Sequence, residues 1–248
     1  MNLDRSELPA IATMKKYAYF TLVARDKYFD GAVCMYESLR GKTKYPLIAM
    51  TCDLSGENIN KLSGMGIVCM PVEKIDSVKA GLGDNKLRLD DFTYTYTKLH
   101  IFNYDEYDKI IFLDSDLIVI KSIDHLFDEV MSDFAACAGA PYWEDIFNSG
   151  VMVIKPDKNI FHDLMAKKDI LPTYDGSDQG FLNSYFKDWH KLDIKYNAGK
   201  RIYSEQREKW DQIDKHVIHF VGGKPWLGGE KSYEELEKLW FEIYKKTK

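Results

Sequence analysis

Two carboxylates that are separated by one residue follow an apolar run in the middle of the chain. Asp114 and Asp116 come directly after Lys109–Leu113, with Ser115 between them. In an extended chain such side chains lie on one face about 7 Å apart, and a turn can bring both to one hard cation such as Mg²⁺ or Mn²⁺. The same pattern also occurs in solvated loops and helix caps. The buried strand before it favours the metal site, because desolvated paired carboxylates are costly without a counter-charge.

A second polar cluster, residues 147–150, leads into another apolar run. Asn148 offers amide donors and a carbonyl acceptor, and Gly150 permits close approach of the backbone. These properties suit the hydroxyl groups of a sugar, although Asn-Ser-Gly is also ordinary turn chemistry. The residues alone leave both interpretations open.

A third cluster, residues 175–180, precedes a segment of helical pattern. Asp175 or Ser177 could cap that helix, which is the structural interpretation. Asp178 and Gln179, at the start of the helix, are the better candidates for side chains that reach into a cleft.

A fourth cluster, residues 219–226, combines a histidine, two glycines and a lysine at the end of a predicted strand. His219 could supply a metal ligand, while the glycine amides and Lys224 could hold a diphosphate. A histidine at a strand end is, taken alone, more often structural.

Alternating strand-like and helix-like segments position these clusters. The first half predicts strands at 17–24, 46–52, 66–72, 109–113 and 117–120, and helices at 26–39, 55–62 and 94–102. Continuous apolar strands separated by helices indicate a mainly parallel sheet that is covered on both faces. Ligands bind such sheets beyond the carboxyl ends of the strands, so the loops after Ala24, Cys52 and Leu113 should meet at the functional edge.

The second half is less regular and ends in an amphipathic helix. It predicts strands at 151–155 and 216–221 and helices at 160–167, 177–186 and 232–247. In the last helix, Ser232 and Glu235 form a possible capping box. Its apolar stripe should dock on the body of the protein; it consists of Leu236, Leu239, Trp240 and Ile243.

Composition narrows the class of protein. The 248 residues are 45% hydrophobic and 29% charged, which fits one globular domain over 16–248 after a tail of residues 1–15. The net charge of −5 argues against a nucleic-acid partner. An acidic protein that holds a diphosphate needs local cations or a metal. Four dispersed cysteines, an N-terminus unlike a signal peptide and the lack of a long apolar run predict a cytoplasmic protein without a membrane span.

The four clusters, in this order, resemble the glycogenin-like members of glycosyltransferase family 8. The matching stretches are YFTLVARDKYFDGA, TYTKLHIFNYDEYDKIIFLDSDLIVIKSIDHLFD, FNSGVMVIKP, YDGSDQGFLNSYF, KYN and HFVGGKPW, which together span residues 19–226. The resemblance implies a GT-A fold: a single α/β domain whose mixed, mainly parallel sheet is flanked by helices. It also implies a nucleotide-binding half at about 16–120, an acceptor and catalytic half at about 121–230 and the C-terminal helix.

The resemblance further implies a UDP-sugar donor, a divalent metal, usually Mn²⁺ and otherwise Mg²⁺, and roles for individual residues. The metal ligands are Asp114, Asp116 and His219. The uridine-binding residues are Thr21, Leu22, Val23 and Tyr28. The donor contacts are Arg88, Lys98, Ser115, Asn148 and Ser149. The loop before TKLH differs in length from that of the family, so Lys86 is an alternative to Arg88. The diphosphate contacts are Gly222 and Lys224, although HFVGGKPW is one residue shorter here than the glycogenin form. The groups at the reaction centre are Asp175, Asp178 and Gln179.

The sequence therefore predicts a metal-dependent transferase that moves a hexose, glucose or galactose, from a UDP-sugar with retention of configuration. Asp178 is the candidate nucleophile or cation-stabilising group, with Gln179 and Asp175 orienting the sugar. The acceptor is a hydroxyl of a glycan, a polyol or a protein, and a homodimer is a further expectation because family members often dimerise. The alternatives are a galactinol-synthase-like transfer to a cyclitol and a catalytically silent scaffold that binds nucleotide sugars.

Two aromatic residues add minor hypotheses. Tyr203 lies near the position where glycogenins carry their self-glucosylated tyrosine, but its flanking residues differ and a packing role is the simpler interpretation. Trp143 is a candidate for stacking on an acceptor sugar, since aromatic faces often pack against sugar rings.

Overall fold

A computed structural model describes residues 15–79, 93–139 and 143–247. Within these ranges, ten strands run in chain order: β1 Tyr17–Ala24, β2 Leu47–Cys52, β3 Val68–Pro71, β4 Lys109–Leu113, β5 Leu117–Val119, β6 Phe134–Gly139, β7 Trp143–Ile154, β8 His190–Leu192, β9 Ala198–Gly199 and β10 Val217–His219. The α-helices are α1 Phe29–Leu39, α2 Gly56–Gly64, α3 Leu126–Glu129, α4 Lys158–Lys167, α5 Asp178–Tyr185, α6 Lys200–Glu205, α7 Arg207–Gln212 and α8 Glu234–Tyr244. Short 3₁₀ helices include Asp26–Tyr28 and Thr95–Asn103.

The main sheet has seven strands in the order β3-β2-β1-β4-β7-β6-β8. Strands β3, β2, β1 and β4 are parallel neighbours, whereas β7 runs antiparallel to both β4 and β6. Apolar layers cover both faces of this sheet, one containing Tyr19 and Ile111 and the other Phe20 and Phe112. The predicted α/β fold with a mainly parallel sheet flanked by helices is confirmed.

A second sheet of three strands, in the order β5-β10-β9, was not predicted. Strand β10 pairs antiparallel with β5, so that His219 lies opposite Leu117, and the amide of Phe220 donates to the Asp116 carbonyl at 2.9 Å. The strands predicted at 117–120 and 216–221 form β5 and β10, but each has only three residues, and the sequence does not indicate which strands pair. Their pairing brings two distant parts of the sequence together just after the carboxyl end of β4.

Several element bounds differ from the predictions. Residues 94–102 fold mainly as the 3₁₀ helix Thr95–Asn103, and the strand predicted at 151–155 is the end of the much longer β7. The predicted capping box is wrong, because α8 starts at Glu234 and its N-cap, Tyr233, makes no side-chain cap hydrogen bond. A preceding 3₁₀ turn, Lys231–Tyr233, takes up Ser232.

The C-terminal helix docks on the body of the protein, as its apolar stripe predicts. Leu236 and Trp240 are buried in a cluster with Ile202 and Phe220, and Leu239 and Ile243 pack against the same cluster. Trp240 stacks on Trp226 with ring centroids 5.3 Å apart. Within the described ranges, no helix has the length and apolar character needed to cross a membrane.

Candidate active site

One large cavity lies beyond the carboxyl ends of β1 and β4. Its volume is about 680 Å³, within the range of about 300–1,000 Å³ that is typical of pockets for small molecules. We call it the reaction cavity. Of the residues proposed from the sequence, those that line it are Leu22, Tyr28, Lys98, Asp114, Ser115, Asp116, Asn148, Ser149, Asp175, Asp178, Gln179, His219, Gly222 and Lys224. The fold therefore brings all four polar clusters to one place.

Asp114, Asp116 and His219 converge within this cavity. Their potential ligand atoms lie within 4.8 Å of one another. Strand β4 delivers Asp114, whose amide donates to the Gly150 carbonyl at 2.8 Å, and β10 delivers His219 beside Asp116 through its pairing with β5. Two carboxylates and one imidazole are a donor set that suits Mn²⁺ or Mg²⁺.

A chain of side-chain amides orients the ring of His219. Gln179 Oε1 accepts from the Ser149 amide at 3.3 Å and from Asn148 Nδ2 at 2.8 Å. Asn148 Oδ1 accepts from the Gly150 amide at 3.0 Å and from Asn197 Nδ2 at 2.8 Å. Because backbone amides can only donate, they fix which end of each side-chain amide faces its neighbour.

This chain also fixes the proton on the imidazole. Asn197 uses its amino group on Asn148, so its carbonyl oxygen faces His219 Nδ1 at 2.9 Å. Nδ1 must then carry the proton, and Nε2 presents a lone pair 3.0 Å from Asp116 Oδ1. Two acceptors face each other at that point, which is the arrangement that a bound cation would satisfy. The residues present therefore fit a divalent metal.

Lys98 joins the metal site to the proposed reaction centre. Its ammonium group is buried and lies 3.0 Å from Asp114 Oδ1 and 2.9 Å from Asp178 Oδ2. Burial by itself disfavours the charged ammonium, but the two carboxylates outweigh that effect and raise the pKa of Lys98. The lysine is thus held in its charged form.

The two carboxylates of the metal trio differ in their electrostatic environment. Burial raises the pKa of Asp114 even though Lys98 is adjacent, so this carboxylate is short of positive charge. Burial acts in the same direction on Asp116, but the ammonium group of Lys224 outweighs it and holds the pKa of Asp116 far below its usual range. A divalent cation would supply the charge that Asp114 lacks.

Helix α5 presents Asp178 and Gln179 from its first turn. Ser177 caps the helix by accepting from the Gln179 amide at 3.2 Å, and Asp175 Oδ1 accepts from the amides of Ser177 and Gly180 at 2.9 and 3.1 Å. Asp178 Oδ2 accepts from Ser149 Oγ at 2.8 Å in addition to its contact with Lys98. Asp175 and Ser177 therefore stabilise the start of the helix, as the structural interpretation proposed. Asp178, by contrast, is buried and lines the cavity.

The turn after β10 is held from outside the cavity. Glu230 Oε1 accepts from the Gly223 amide and from Lys200 Nζ, both at 2.9 Å, while Lys200 also donates to the Gly223 carbonyl at 2.7 Å. Lys200 is buried and lies over the ring of Tyr233. This clamp fixes the glycine turn, and Lys224 Nζ next to it contacts Asp116 Oδ2.

The strand β1 residues divide between the cavity and the core. Leu22 and Tyr28 line the cavity, but Val23 packs in the core and Thr21 is buried with no hydrogen-bond partner for its hydroxyl among the described residues. The side chains of Thr21 and Val23 do not line the cavity, because alternate residues of a strand face opposite sides of the sheet. Their assignment to the uridine stays a prediction. Arg88 and its competitor Lys86 lie outside the described residues.

The two aromatic hypotheses have different outcomes. Tyr203 does not line the reaction cavity; its hydroxyl donates to Glu235 Oε2 at 2.8 Å and its ring packs edge-on against Trp210. These contacts favour the packing role of Tyr203 over self-glucosylation. Trp143 does line the cavity and is 52% exposed.

Sequence reasoning missed several residues that line the cavity. Asn197, Tyr174 and Arg201 are among those that were assigned no role. Asn197 belongs to the KYN stretch that carries the family resemblance, so the sequence did mark this position. Its contact with His219 could not be predicted, because it depends on the pairing of β9 with β10. The other two residues carry no local pattern that separates them from surface residues.

Comparison with known proteins identifies the family. The family model described as glycosyl transferase family 8 matches residues 20–229. A putative UDP-glucuronate:xylan alpha-glucuronosyltransferase 5 of Arabidopsis thaliana is 31% identical over 232 residues, covering 92% of this chain and 39% of the relative. Glycogenin-1 of Caenorhabditis elegans is 32% identical over 253 residues, covering 92% of this chain and 55% of the relative. The chain thus spans about half or less of the length of these curated relatives.

Solved structures show the same fold. The glycosyltransferase GlyE of Streptococcus pneumoniae TIGR4 superposes with a TM-score of 0.68 at 22% identity, covering 92% of this chain and 61% of GlyE. The galactosyltransferase LgtC, solved with donor and acceptor sugar analogues, superposes with a TM-score of 0.65 at 18% identity, covering 92% of this chain and 95% of LgtC. With the family model matching more than four fifths of its residues, the chain belongs to glycosyl transferase family 8.

Proposed function

We propose that this protein is a metal-dependent glycosyltransferase that moves a hexose from a UDP-sugar to an acceptor hydroxyl with retention of configuration. The observation that carries the proposal is the convergence of Asp114, Asp116 and His219 in the same cavity as Lys224 and Asp178. The trio would hold Mn²⁺ or Mg²⁺, and the bound metal would act as a Lewis acid on the diphosphate.

Charge balance supports a phosphate-bearing ligand despite the acidic composition. Within the described ranges, the ammonium groups that contact Asp114, Asp116 and Asp178 are those of Lys98 and Lys224. The cluster is therefore negative and would repel a free diphosphate, whereas a divalent cation reverses the sign. Lys224 and the Gly222 amide would then stabilise the negative charge that develops on the leaving oxygen.

The contacts of Asp178 favour an electrostatic role over a nucleophilic one. Its Oδ2 shares its charge with Lys98 Nζ at 2.9 Å and accepts from Ser149 Oγ at 2.8 Å. A carboxylate held in this way stabilises positive charge at the anomeric carbon well. In the reaction that follows, the bond from that carbon to the diphosphate oxygen breaks and UDP keeps the electron pair. The acceptor oxygen then bonds to the carbon on the same face and its proton passes to the departing phosphate oxygen.

The test is UDP release by the purified chain with Mn²⁺, UDP-sugars and a panel of acceptors. We expect Asp178→Asn to lower transfer by about 10²–10³-fold while keeping metal-dependent binding of UDP. Asp188→Asn, an exposed change of the same chemistry, is the matched control and should keep full rate. Unchanged turnover in Asp178→Asn would refute its role, and UDP binding without turnover on any acceptor, cyclitols included, would favour the scaffold alternative.

A uronic acid donor is a second candidate because of Arg201. This exposed guanidinium group lines the reaction cavity and has no ion-pair partner within the described part of the chain. Several relatives are named as UDP-glucuronate enzymes. If a carboxylate on the sugar pairs with Arg201, UDP-glucuronate should outcompete UDP-glucose, and Arg201→Gln should remove that preference. If the wild-type protein and the variant each use both donors equally well, Arg201 does not select a uronic acid, and the proposal of a neutral hexose donor stands.

A homodimer and a cytoplasmic location stay predictions from the sequence. Gel filtration with light scattering tests the first, and a fluorescent fusion expressed in the source cell tests the second.

A further inference from the structure

A second, smaller cavity adjoins the reaction cavity. Its volume is about 210 Å³, and Tyr174 lines both cavities. We call it the side cavity. Tyr174 is 44% exposed, and its hydroxyl accepts from Gln179 Nε2 at 2.7 Å, so the shared wall is tied to the reaction centre. Trp143, at the mouth of the reaction cavity, lies edge-on to Tyr174 with ring centroids 6.4 Å apart.

Two polar groups in the side cavity are unused by the fold. Asp145 and Ser184 both line it, and neither side chain has a hydrogen-bond or ion-pair partner among the residues that the structure describes. The amide of Asn183, by contrast, is fully occupied: Oδ1 accepts from the Phe147 amide at 2.9 Å and Nδ2 donates to the Phe147 carbonyl at 2.9 Å. Asn183 therefore shapes the wall, while Asp145 and Ser184 remain available to a ligand.

The lining has the chemistry of a sugar subsite. Trp189 contributes an aromatic surface that is partly exposed, Asp145 can accept from sugar hydroxyl groups, and Ser184 can donate and accept. The volume is below the range for drug-sized ligands, so it suits one sugar unit rather than a second nucleotide. Lys187 also lines the side cavity, and its ammonium group donates to the Asn183 carbonyl at 3.0 Å.

Tyr174 links the side cavity to the chemistry. It lines both cavities, and its hydroxyl accepts from Gln179 Nε2 at 2.7 Å. Gln179 and Ser184 lie about 7.5 Å apart along the axis of α5 but about 140° apart around it, so the helix face itself does not join the two cavities. An acceptor whose terminal hydroxyl lies at Gln179 can therefore place its next sugar in the side cavity by extending past Tyr174.

We propose that the side cavity is an acceptor subsite that binds the sugar preceding the one that is glycosylated, so that the acceptor is a glycan of at least two units. The inference rests on the proposed transferase function and deepens it. Binding energy from the remote unit would be used to orient the attacking hydroxyl, which raises the rate with chain length. A free polyol or cyclitol could not reach this subsite.

The experiment compares acceptors of increasing length with the preferred UDP-sugar and Mn²⁺. The probes are methyl xyloside and methyl glucoside against xylo- and malto-oligosaccharides of two to four units. For at least one series, kcat/KM should rise about tenfold or more from one unit to two, which corresponds to about 1.4 kcal/mol. Asp145→Asn and the cavity-filling Ser184→Phe should remove this gain while leaving the one-unit rate and donor hydrolysis unchanged.

Asp188→Asn is the matched control, because Asp188 is exposed and lines neither cavity. Quenching of tryptophan fluorescence by the same oligosaccharides, with UDP and Mn²⁺ bound, gives a readout that does not need turnover. UDP-sugar consumption without any advantage of longer acceptors, or equal losses on all acceptors in the variants, overturns the subsite alone. Failure to bind or consume any UDP-sugar overturns the proposed function and the subsite with it.

Discussion

Lys98 is the residue on which the packing of the site depends. Its buried ammonium group lies between Asp114 and Asp178, so removing it leaves two carboxylates without their shared counter-charge. We expect Lys98→Met to lower the free energy of unfolding by about 3–5 kcal/mol, because a broken buried pair leaves uncompensated charge. Urea denaturation at neutral pH measures the change.

The double variant Lys98→Met with Asp178→Asn separates charge from packing. It should recover part of the lost stability, since one stranded carboxylate becomes neutral. Lys121→Met is the control, because the ion pair of Lys121 with Asp214 is exposed and such pairs contribute about 0–1 kcal/mol. An unfolding midpoint of Lys98→Met equal to that of the control would rule out this account.

Asn197 acts on the metal through His219. Its carbonyl oxygen holds the proton on Nδ1, which leaves Nε2 free for a cation. We expect Asn197→Ala to weaken Mn²⁺ binding by about 10–100-fold, the usual effect of removing a group that orients a ligand. Calorimetry with Mn²⁺ measures this, and Asn197→Asp, which keeps an acceptor for Nδ1, should retain most of the affinity. Similar losses in the two variants would show that Asn197 serves packing alone.

At the residue scale, the sequence predicts the type of each metal ligand but not what orients it. The spacing of Asp114 and Asp116 favours a hard cation, and the family resemblance completes the set with His219. Asn197 was not, because its role requires knowing that β9 pairs with β10. Residue chemistry is local, whereas the partner of a residue is set by long-range strand pairing.

At the element scale, β7 connects the metal site to the reaction centre. Gly150 lies in this strand, and a Cβ at its position would come 2.7 Å from His219 Nδ1 and 2.9 Å from Asn148 Oδ1. Both neighbours belong to the amide chain, so they cannot move without losing their hydrogen bonds. Gly150→Ala should therefore weaken Mn²⁺ binding and transfer by at least tenfold, as measured by calorimetry and UDP release.

Gly199 offers the matched control for Gly150→Ala. It also lines the reaction cavity, but a Cβ there would meet no atom within 4 Å. Gly199→Ala should keep metal affinity close to that of wild type. If both alanine variants bind Mn²⁺ equally well, close packing of β7 against His219 does not control the site.

The predictability of the elements follows from their length and burial. Strands β1 and β4 match their predicted bounds, because each is a continuous apolar run buried on both faces. The helix predicted at 94–102 is present as the 3₁₀ helix Thr95–Asn103, and the strand predicted at 151–155 is the buried end of β7. The start of β7 was missed because its first three residues are exposed and include Glu144 and Asp145. The three-stranded sheet joins strands that are far apart in the sequence, so no local pattern predicts their pairing.

At the scale of the whole molecule, metal and nucleotide should stabilise the protein as a coupled pair. The net charge of −5 and the excess of carboxylates at the cavity oppose UDP, while a bound cation at the trio favours it. By linkage, each ligand then strengthens the binding of the other by the same factor. We expect the affinity for UDP to fall at least tenfold when EDTA removes the metal.

Thermal unfolding reports the same coupling across the entire fold. With Mn²⁺ and UDP each at about 100 times its dissociation constant, each ligand alone should raise the melting temperature by roughly 5–10 °C, and the two together should raise it by more than the sum of these separate shifts. Asp116→Asn should abolish the excess, because it removes one of the three groups that hold the cation. Asp214→Asn, which changes an exposed carboxylate far along the chain, should preserve it. If the melting-temperature shifts from Mn²⁺ and UDP are additive in the wild-type protein, the nucleotide binds independently of the metal and the coupling is absent.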